Sequence, residues 1–338
     1  LPEEIRCKWL EGWMEVTRRR LLAALATAGA AGMCSPLLQK AAAELSGPAR
    51  LYPPMDLSIF DTPVERGAWR MQVGYASITW DGRDDEAIQQ IAAVGYPGIQ
   101  LRANALKEYP DPKKLEATLS EHKLVFVALS SGGTELDPAK EKKMLDEHTE
   151  HAKYLQAAGG KYLQVIGAGD PKGAPPKWTA ADYKRQGYLL TEVGKRAAEF
   201  GIQTGFHNHM NTIGQTPEAT DAIMDAADPK YVKLELDVAH YLQGGGDPAA
   251  AVRKYRRRLL FMHLKDTMPS ASARGGYQFV ELGQGRVDFK ALLAALKEIH
   301  FRGWGIVELD GERPGATRTP EESARMSKQY LESLGVQV

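Results

Sequence analysis

The sequence predicts a single-domain (β/α)8 TIM barrel. From Met71 to the C-terminus, short β-type runs alternate with helical stretches, and parallel strands need such helical crossovers. Eight strands and eight helices fill about the 250 residues typical of that barrel. The later strands finish on metal-competent side chains, which a barrel of this kind gathers at the carboxyl ends of its strands. An open doubly wound sheet would require a glycine-rich phosphate turn after its first strand, and the segment TWDGRDDE there is not one.

Taken in order, strand Met71–Ile78 leads to helix Asp84–Val94, which opens on acidic residues and closes at Gly95. Strand Gly98–Arg102 is followed by helix Pro112–His122, and strand Leu124–Leu129 by helix Pro138–Ala158. Both helices begin on a proline, whose fixed φ suits a first turn. Strand Tyr162–Ile166 precedes helix Ala180–Phe200, closed by Gly201. Strand Gln203–Asn208 precedes Pro217–Ala226, and strand Val232–Asp237 precedes Asp247–Tyr255. The last two units are Leu259–Leu264 with Asp288–Ile299, and Gly305–Glu308 with Pro320–Leu334, closed by Gly335.

The first seventy residues have a different character. Thr17-Arg18-Arg19-Arg20 precedes a charge-free, alanine-rich run, with small residues at Ala41-Ala42-Ala43. That order of charged, apolar and small residues predicts a twin-arginine export signal over residues 1–45, with Met14 as the expected start. Periplasmic location, with the export machinery as a partner, follows as an expectation, and the run is too short for a stable membrane span. Met33 before Cys34 argues against a lipid anchor. Residues 46–70 are rich in proline and glycine and form an arm before the barrel at 71–338, long enough to wrap a neighbour in an oligomer. Cys7 and Cys34 both precede the barrel, so its chemistry uses no thiol. Formal net charge is zero, which argues against a nucleic-acid partner.

Strands six, seven and eight end in Asp237, His263 and Glu308, and strand five in His207 and His209. Alternate residues of a strand share a face, so Glu235 joins Asp237, and Lys265 joins His263. A mixture of carboxylate oxygen and imidazole nitrogen holds a borderline or hard divalent cation. Asp237, His263, Glu308 and His207 are therefore the expected ligands, with His209 an alternative metal or substrate contact.

The segments LDVAH (to His240), MHLKD (to Asp266), ELGQGRVDF (from Glu281) and IVELD (to Asp310) resemble the xylose isomerase-like sugar isomerase/epimerase superfamily. The resemblance implies a TIM barrel, one divalent metal held from strands five to eight, and a sugar, keto-sugar or cyclitol substrate. It assigns Asp237, His263 and Glu308 to the metal, and His240 to the substrate. Strand five departs from the epimerase pattern, with His207 where those enzymes carry glutamate. GFHNHM with GQTPEATD looks more like the inosose dehydratase branch and exported relatives acting on 3-keto sugars.

The expected chemistry is proton abstraction beside a polarised carbonyl, giving isomerisation, epimerisation or β-elimination. His240, Lys265 and Glu281 are the expected catalytic groups, and Arg102, Trp80 and Glu235 the expected substrate contacts. An ion pair between Lys265 and Glu235 is the structural alternative for that lysine. Mn2+ is the expected cation, with Zn2+, Co2+, Fe2+ or Mg2+ also compatible. Two rivals are an exported carbohydrate-binding protein with a structural metal, and an endonuclease four-type phosphodiesterase. The nuclease needs extra ligands on the first four strands, which end instead in Ser77, Arg102, Ser130 and Gly167.

Overall fold

In a computed structural model that describes residues 71–169, 177–310 and 317–338, the parallel strands close into a barrel. Its staves are β1 (Gln72–Ala76), β2 (Gly98–Arg102), β3 (Val125–Gly133), β4 (Tyr162–Ile166), β5 (Gln203–His207), β6 (Val232–Asp237) and β7 (Leu259–Leu264). An antiparallel hairpin, β8 (Asp266–Pro269) and β9 (Tyr277–Val280), follows, and β10 (Trp304–Val307) closes the barrel between β7 and β1. The expected barrel is present, whereas the export signal and the arm lie outside the described residues. Among the described residues, no helix is long and apolar enough to cross a membrane.

Local chemistry explains where the boundaries differ from expectation. β1 stops at Ala76 because Ser77–Trp80 coils into a 3-10 turn that ends on Asp81 in the left-handed region. β3 runs on to Gly133 through an irregular register with β4. The helix expected from Pro138 starts at Glu141. Helix Ala180–Ala198 is opened by a capping box between Thr179 and Asp182, and Pro320–Ser333 by one between Thr319 and Glu322. The short helices Ala105–Glu108 and Val238–Gln243 and the β8–β9 hairpin are additions to the predicted alternation.

Two layers of apolar packing follow from the alternation of strand faces. Outward-facing strand residues and inward helix faces bury Ile88, Ile91, Ile99, Leu101, Leu115 and Leu129 completely. Each such side chain contributes about 2 kcal/mol, an upper bound given a compact unfolded chain. Inside the barrel a smaller cluster of Ala76, Ala128, Phe261, Trp304 and Ile306 makes a floor, with Tyr162 stacked on Phe261 at 5.3 Å. Gly98 admits the Trp304 ring, since a Cβ there would sit 2.4 Å from it. Towards the carboxyl ends of the strands the inward positions turn polar, with Gln100, Gln164, Glu235 and His263 all buried.

Candidate metal centre

Asp237 ends β6 and caps the helix Val238–Gln243, its Oδ1 accepting the His240 backbone N–H at 2.8 Å. Asn208, just past β5, holds the Asp237 backbone: its Oδ1 accepts from Asp237 N at 2.9 Å, and its Nδ2 donates to Asp237 O at 3.0 Å. With Oδ1 so engaged, Asp237 Oδ2 is left buried without a hydrogen-bond partner, 3.6 Å from His263 Nδ1. His263 Nδ1 is also unpartnered and lies 3.3 Å from Glu308 Oε2. Ligand atoms of Asp237, His263 and Glu308 all fall within 4.8 Å of one another. Orphaned buried polar atoms are costly, by about 1–3 kcal/mol each. Two carboxylate oxygens and one imidazole nitrogen converging in this way fit a divalent cation.

Beneath them, Gln100 Oε1 lies 2.9 Å from His263 Nε2. An amide oxygen only accepts, so His263 Nε2 carries a proton, and Nδ1 is the nitrogen that faces the cluster. The Gln100 amide is itself oriented by donating to Gln164 Oε1. Glu235 Oε1 is 2.8 Å from His263 Nε2 and 3.4 Å from His207 Nδ1. His207 belongs to one group with Glu235 and His263, and to another with His209 and His240.

Charge coupling dominates the centre. Burial alone would depress His263, but the carboxylates of Glu235, Glu308 and Asp237 outweigh it and hold the imidazole well above its usual range. Burial would likewise raise Asp237 and Glu308, yet His263 and Lys265 keep both carboxyls low. Lys265 is fully buried, its ammonium donating to Glu308 Oε1 at 2.9 Å and to Asp310 Oδ1 at 2.7 Å. Burial works against its charge, but Asp310, Glu308 and Asp237 push its pKa further up, so it stays protonated.

At the mouth, His209 and His240 lie with ring centroids 3.8 Å apart. The backbone of Met210 touches both rings, its carbonyl at His209 and its N–H at His240. His209 Nδ1 donates to Met210 O at 2.7 Å, leaving a lone pair on Nε2. Met210 N donates to His240 Nδ1 at 3.3 Å, and the Lys265 ammonium lies 3.5 Å from His240 Nε2. Burial, then His207 and Lys265, lower His209 to about 4. Burial, His209 and Lys265 hold His240 well below its ordinary value. Phe279 of β9 covers this corner, its ring 4.0 Å from the Lys265 ammonium and 5.0 Å from the His240 ring.

The remaining expected residues are spread more widely. Trp80 is a correction: it is wholly buried, packs edge-on against Tyr75 and donates its indole N–H to Gln90 at 2.7 Å. Lys265 pairs with Glu308 and Asp310, not with Glu235, because Glu235 points at the imidazoles below. Glu235 itself is at zero exposure under the cluster rather than at its mouth. Glu281 is buried against the last helix, accepting from Ser323 Oγ at 2.9 Å with Arg318 at 3.7 Å. Arg102 ends β2 exposed, where its charge bears on Asp84. Sequence reasoning missed Gln100, Gln164, Asp310 and Phe279. The glutamines had a signal: strands buried on both faces read as continuous apolar runs, and a lone Gln within GIQLR or YLQVI breaks that pattern.

Residues 88–334 match the family model described as xylose isomerase-like TIM barrel. An inosose dehydratase of Geobacillus kaustophilus is 28% identical over 297 residues, covering 78% of this chain and 94% of that protein. One from Lacticaseibacillus casei is 29% identical over 300 residues, covering 78% and 97%. Among solved structures, the IolI protein with a bound zinc atom superimposes with a TM-score of 0.65 at 20% identity, covering 78% of this chain and 98% of that one. A probable 3-DHS dehydratase, AsbF from Bacillus anthracis, gives 0.63 at 15%, covering 78% and 99%. At such identities these structures speak for the fold alone.

Proposed function

The chain belongs to the xylose isomerase-like TIM barrel family and is an enzyme of the sugar isomerase, epimerase or dehydratase type; from that premise we propose a divalent-metal-dependent dehydratase or lyase acting on a keto-sugar or inosose. The observation that carries the metal dependence is the pair of orphaned buried atoms, Asp237 Oδ2 and His263 Nδ1, facing Glu308. Asp237, His263 and Glu308 would hold the cation, with His207 as a fourth ligand from β5, and this even mixture of carboxylate oxygen and imidazole nitrogen is compatible with Mn2+ among the divalent ions. When bound, the cation supplies Lewis acidity that makes a C–H beside a substrate carbonyl acidic.

The protein's own groups divide the proton work. His209 presents a bare Nε2 and is the acceptor for the substrate proton. His240 is held neutral, and with the Lys265 ammonium 3.5 Å from its Nε2 the pair binds and donates to a substrate oxygen rather than acting as a base. Lys265 remains an ammonium, fixes Glu308 and stabilises negative charge that develops at the substrate. An acceptor and a donor side by side suit loss of a proton and a hydroxyl from neighbouring carbons, which favours elimination over a two-base epimerisation. Twin-arginine export through Thr17–Leu22 completes the proposal, with the enzyme working in the periplasm; cell fractionation with a tagged full chain tests that part.

Metal analysis of the purified protein with Asp237→Ala and Glu308→Ala tests the core of the reading. Both variants are expected to lose bound metal and about 100-fold or more in turnover of inososes or 3-keto glucosides. His240→Ala is expected to retain metal and lose about 100-fold in turnover. Full turnover by metal-free Asp237→Ala would end the metal-dependent account.

A further inference from the structure

Glu235 is a carboxylate with zero exposure that takes part in none of the proton steps above. The strand VKLELD sets it one alternate position below Asp237, on the same inward face. Its register partner on β5 is His207, and two residues earlier Gly205, where a Cβ would come within 3.2 Å of the Glu235 Cβ, leaves room for it. Burying an ionised carboxylate costs several kcal/mol unless charged or hydrogen-bonding groups compensate it. Its neighbours are two imidazoles from two different strands: Glu235 Oε1 lies 2.8 Å from His263 Nε2 and 3.4 Å from His207 Nδ1, within ion-pairing reach, while Oε1, Oε2 and His207 Nδ1 have no hydrogen-bond partner among the described residues. The other nitrogen of His263, Nδ1, is the one facing Asp237 and Glu308.

We propose that Glu235 is a positioning residue that brackets His207 and His263 from behind, draws a ring N–H of each towards one carboxylate oxygen, and so turns a lone pair of each towards the cation. This rests on the metal-dependent reading and adds to it a determinant of cation affinity. Gln100 shares the task for His263, while Glu235 lies against both rings and so is the group that couples them. A carboxylate suits the place because it only accepts and offers lone pairs in several directions. A glutamine would present an N–H₂ to one of two donors and lose the charge that offsets a nearby cation.

The test is a cobalt titration of metal-stripped full-length protein, wild type against Glu235→Gln, followed by visible absorption, with the melting temperature of each apoprotein. The apo variant is expected to melt within a few degrees of wild type, while its cobalt Kd rises about 10–100-fold and its absorption bands shift. An unchanged Kd with an unchanged spectrum in a folded Glu235→Gln overturns the assignment. Wild type alone gives a second readout should the variant not fold. Cobalt-loaded wild type is expected to show two hyperfine-shifted, solvent-exchangeable imidazole N–H signals in proton NMR, assignable to His263 Nε2 and His207 Nδ1. One signal or none overturns the bracket. Wild type that takes up no cobalt removes the metal reading itself, whereas equal uptake by wild type and variant removes only the role of Glu235.

Discussion

His148 shows how much a single buried imidazole can weigh outside the metal centre. It lies on helix Glu141–Ala157, with Nδ1 2.6 Å from Ser131 Oγ and Nε2 3.3 Å from Gly133 O. Burial, then the neighbouring His151, lowers its pKa to about 4. A histidine whose folded pKa is depressed binds fewer protons than in the unfolded chain between that value and the ordinary 6.5. Its contribution is therefore complete above pH 6.5 and is lost as pH falls towards 4. The loss is on the order of 3 kcal/mol, taking about 1.4 kcal/mol per unit. Urea unfolding from pH 7 to pH 4.5 is expected to show His148→Gln with a distinctly shallower slope than wild type. Parallel slopes would mean that the histidine is not neutral in the folded protein. Lys265 behaves in the opposite sense, since its charge is required by Glu308 and Asp310. Lys265→Met leaves a buried carboxylate uncompensated and is expected to cost about 3 kcal/mol in the metal-free protein, read by the same urea titration.

At the scale of elements, the hairpin β8–β9 carries Phe279 over Lys265 and His240, and one side chain keeps that hairpin in place. The Asp266 carboxylate accepts four backbone N–H groups: Thr267 at 2.8 Å and Val287 at 3.0 Å on Oδ1, Gly283 at 3.0 Å and Gly285 at 2.9 Å on Oδ2. Asp266→Asn turns an N–H₂ group on two of these donors. It is expected to destabilise the fold by about 2–4 kcal/mol and to lower turnover as Phe279 shifts, which equilibrium unfolding and steady-state kinetics would measure together. The hairpin was not legible in advance. Asp266–Pro269 and Tyr277–Val280 are short, and their pairing depends on a carboxylate saturated by a glycine-rich turn rather than on alternating hydrophobicity. The eight staves were legible because buried parallel strands between helices have a strong apolar signature, and proline, aspartate and glycine mark the helix ends. The cluster of Asp237, His263 and Glu308 was legible because each sits within one residue of the end of its strand. Trp80 misled because a sequence position near a strand end does not reveal that a 3-10 turn folds the ring back into the core.

Across the whole molecule, the proposed ligands come from β5, β6, β7 and β10, which lie side by side in the order β10-β7-β6-β5. A cation held there would tie half of the barrel wall together, so its binding energy adds to folding stability. At a free concentration 100 times Kd the gain is about 2.7 kcal/mol, or roughly 5–10 °C in melting temperature for a chain of this size. The metal-free cluster fills the same place with a proton, because the surrounding carboxylates hold His263 well above its ordinary pKa. A raised folded pKa contributes stability that is complete below the unfolded value and lost as pH rises through the folded one, the reverse of His148. Metal and proton therefore compete for His263 Nδ1, and near neutral pH cation uptake must expel about one proton. Affinity is expected to rise close to tenfold per pH unit, and the melting shift on adding Mn2+ to grow from pH 6 to pH 8. Calorimetric titration in two buffers of different ionisation enthalpy counts the protons directly. A heat that does not change with buffer would show that no proton leaves, and that the imidazole between Asp237 and Glu308 is already neutral before any ion arrives.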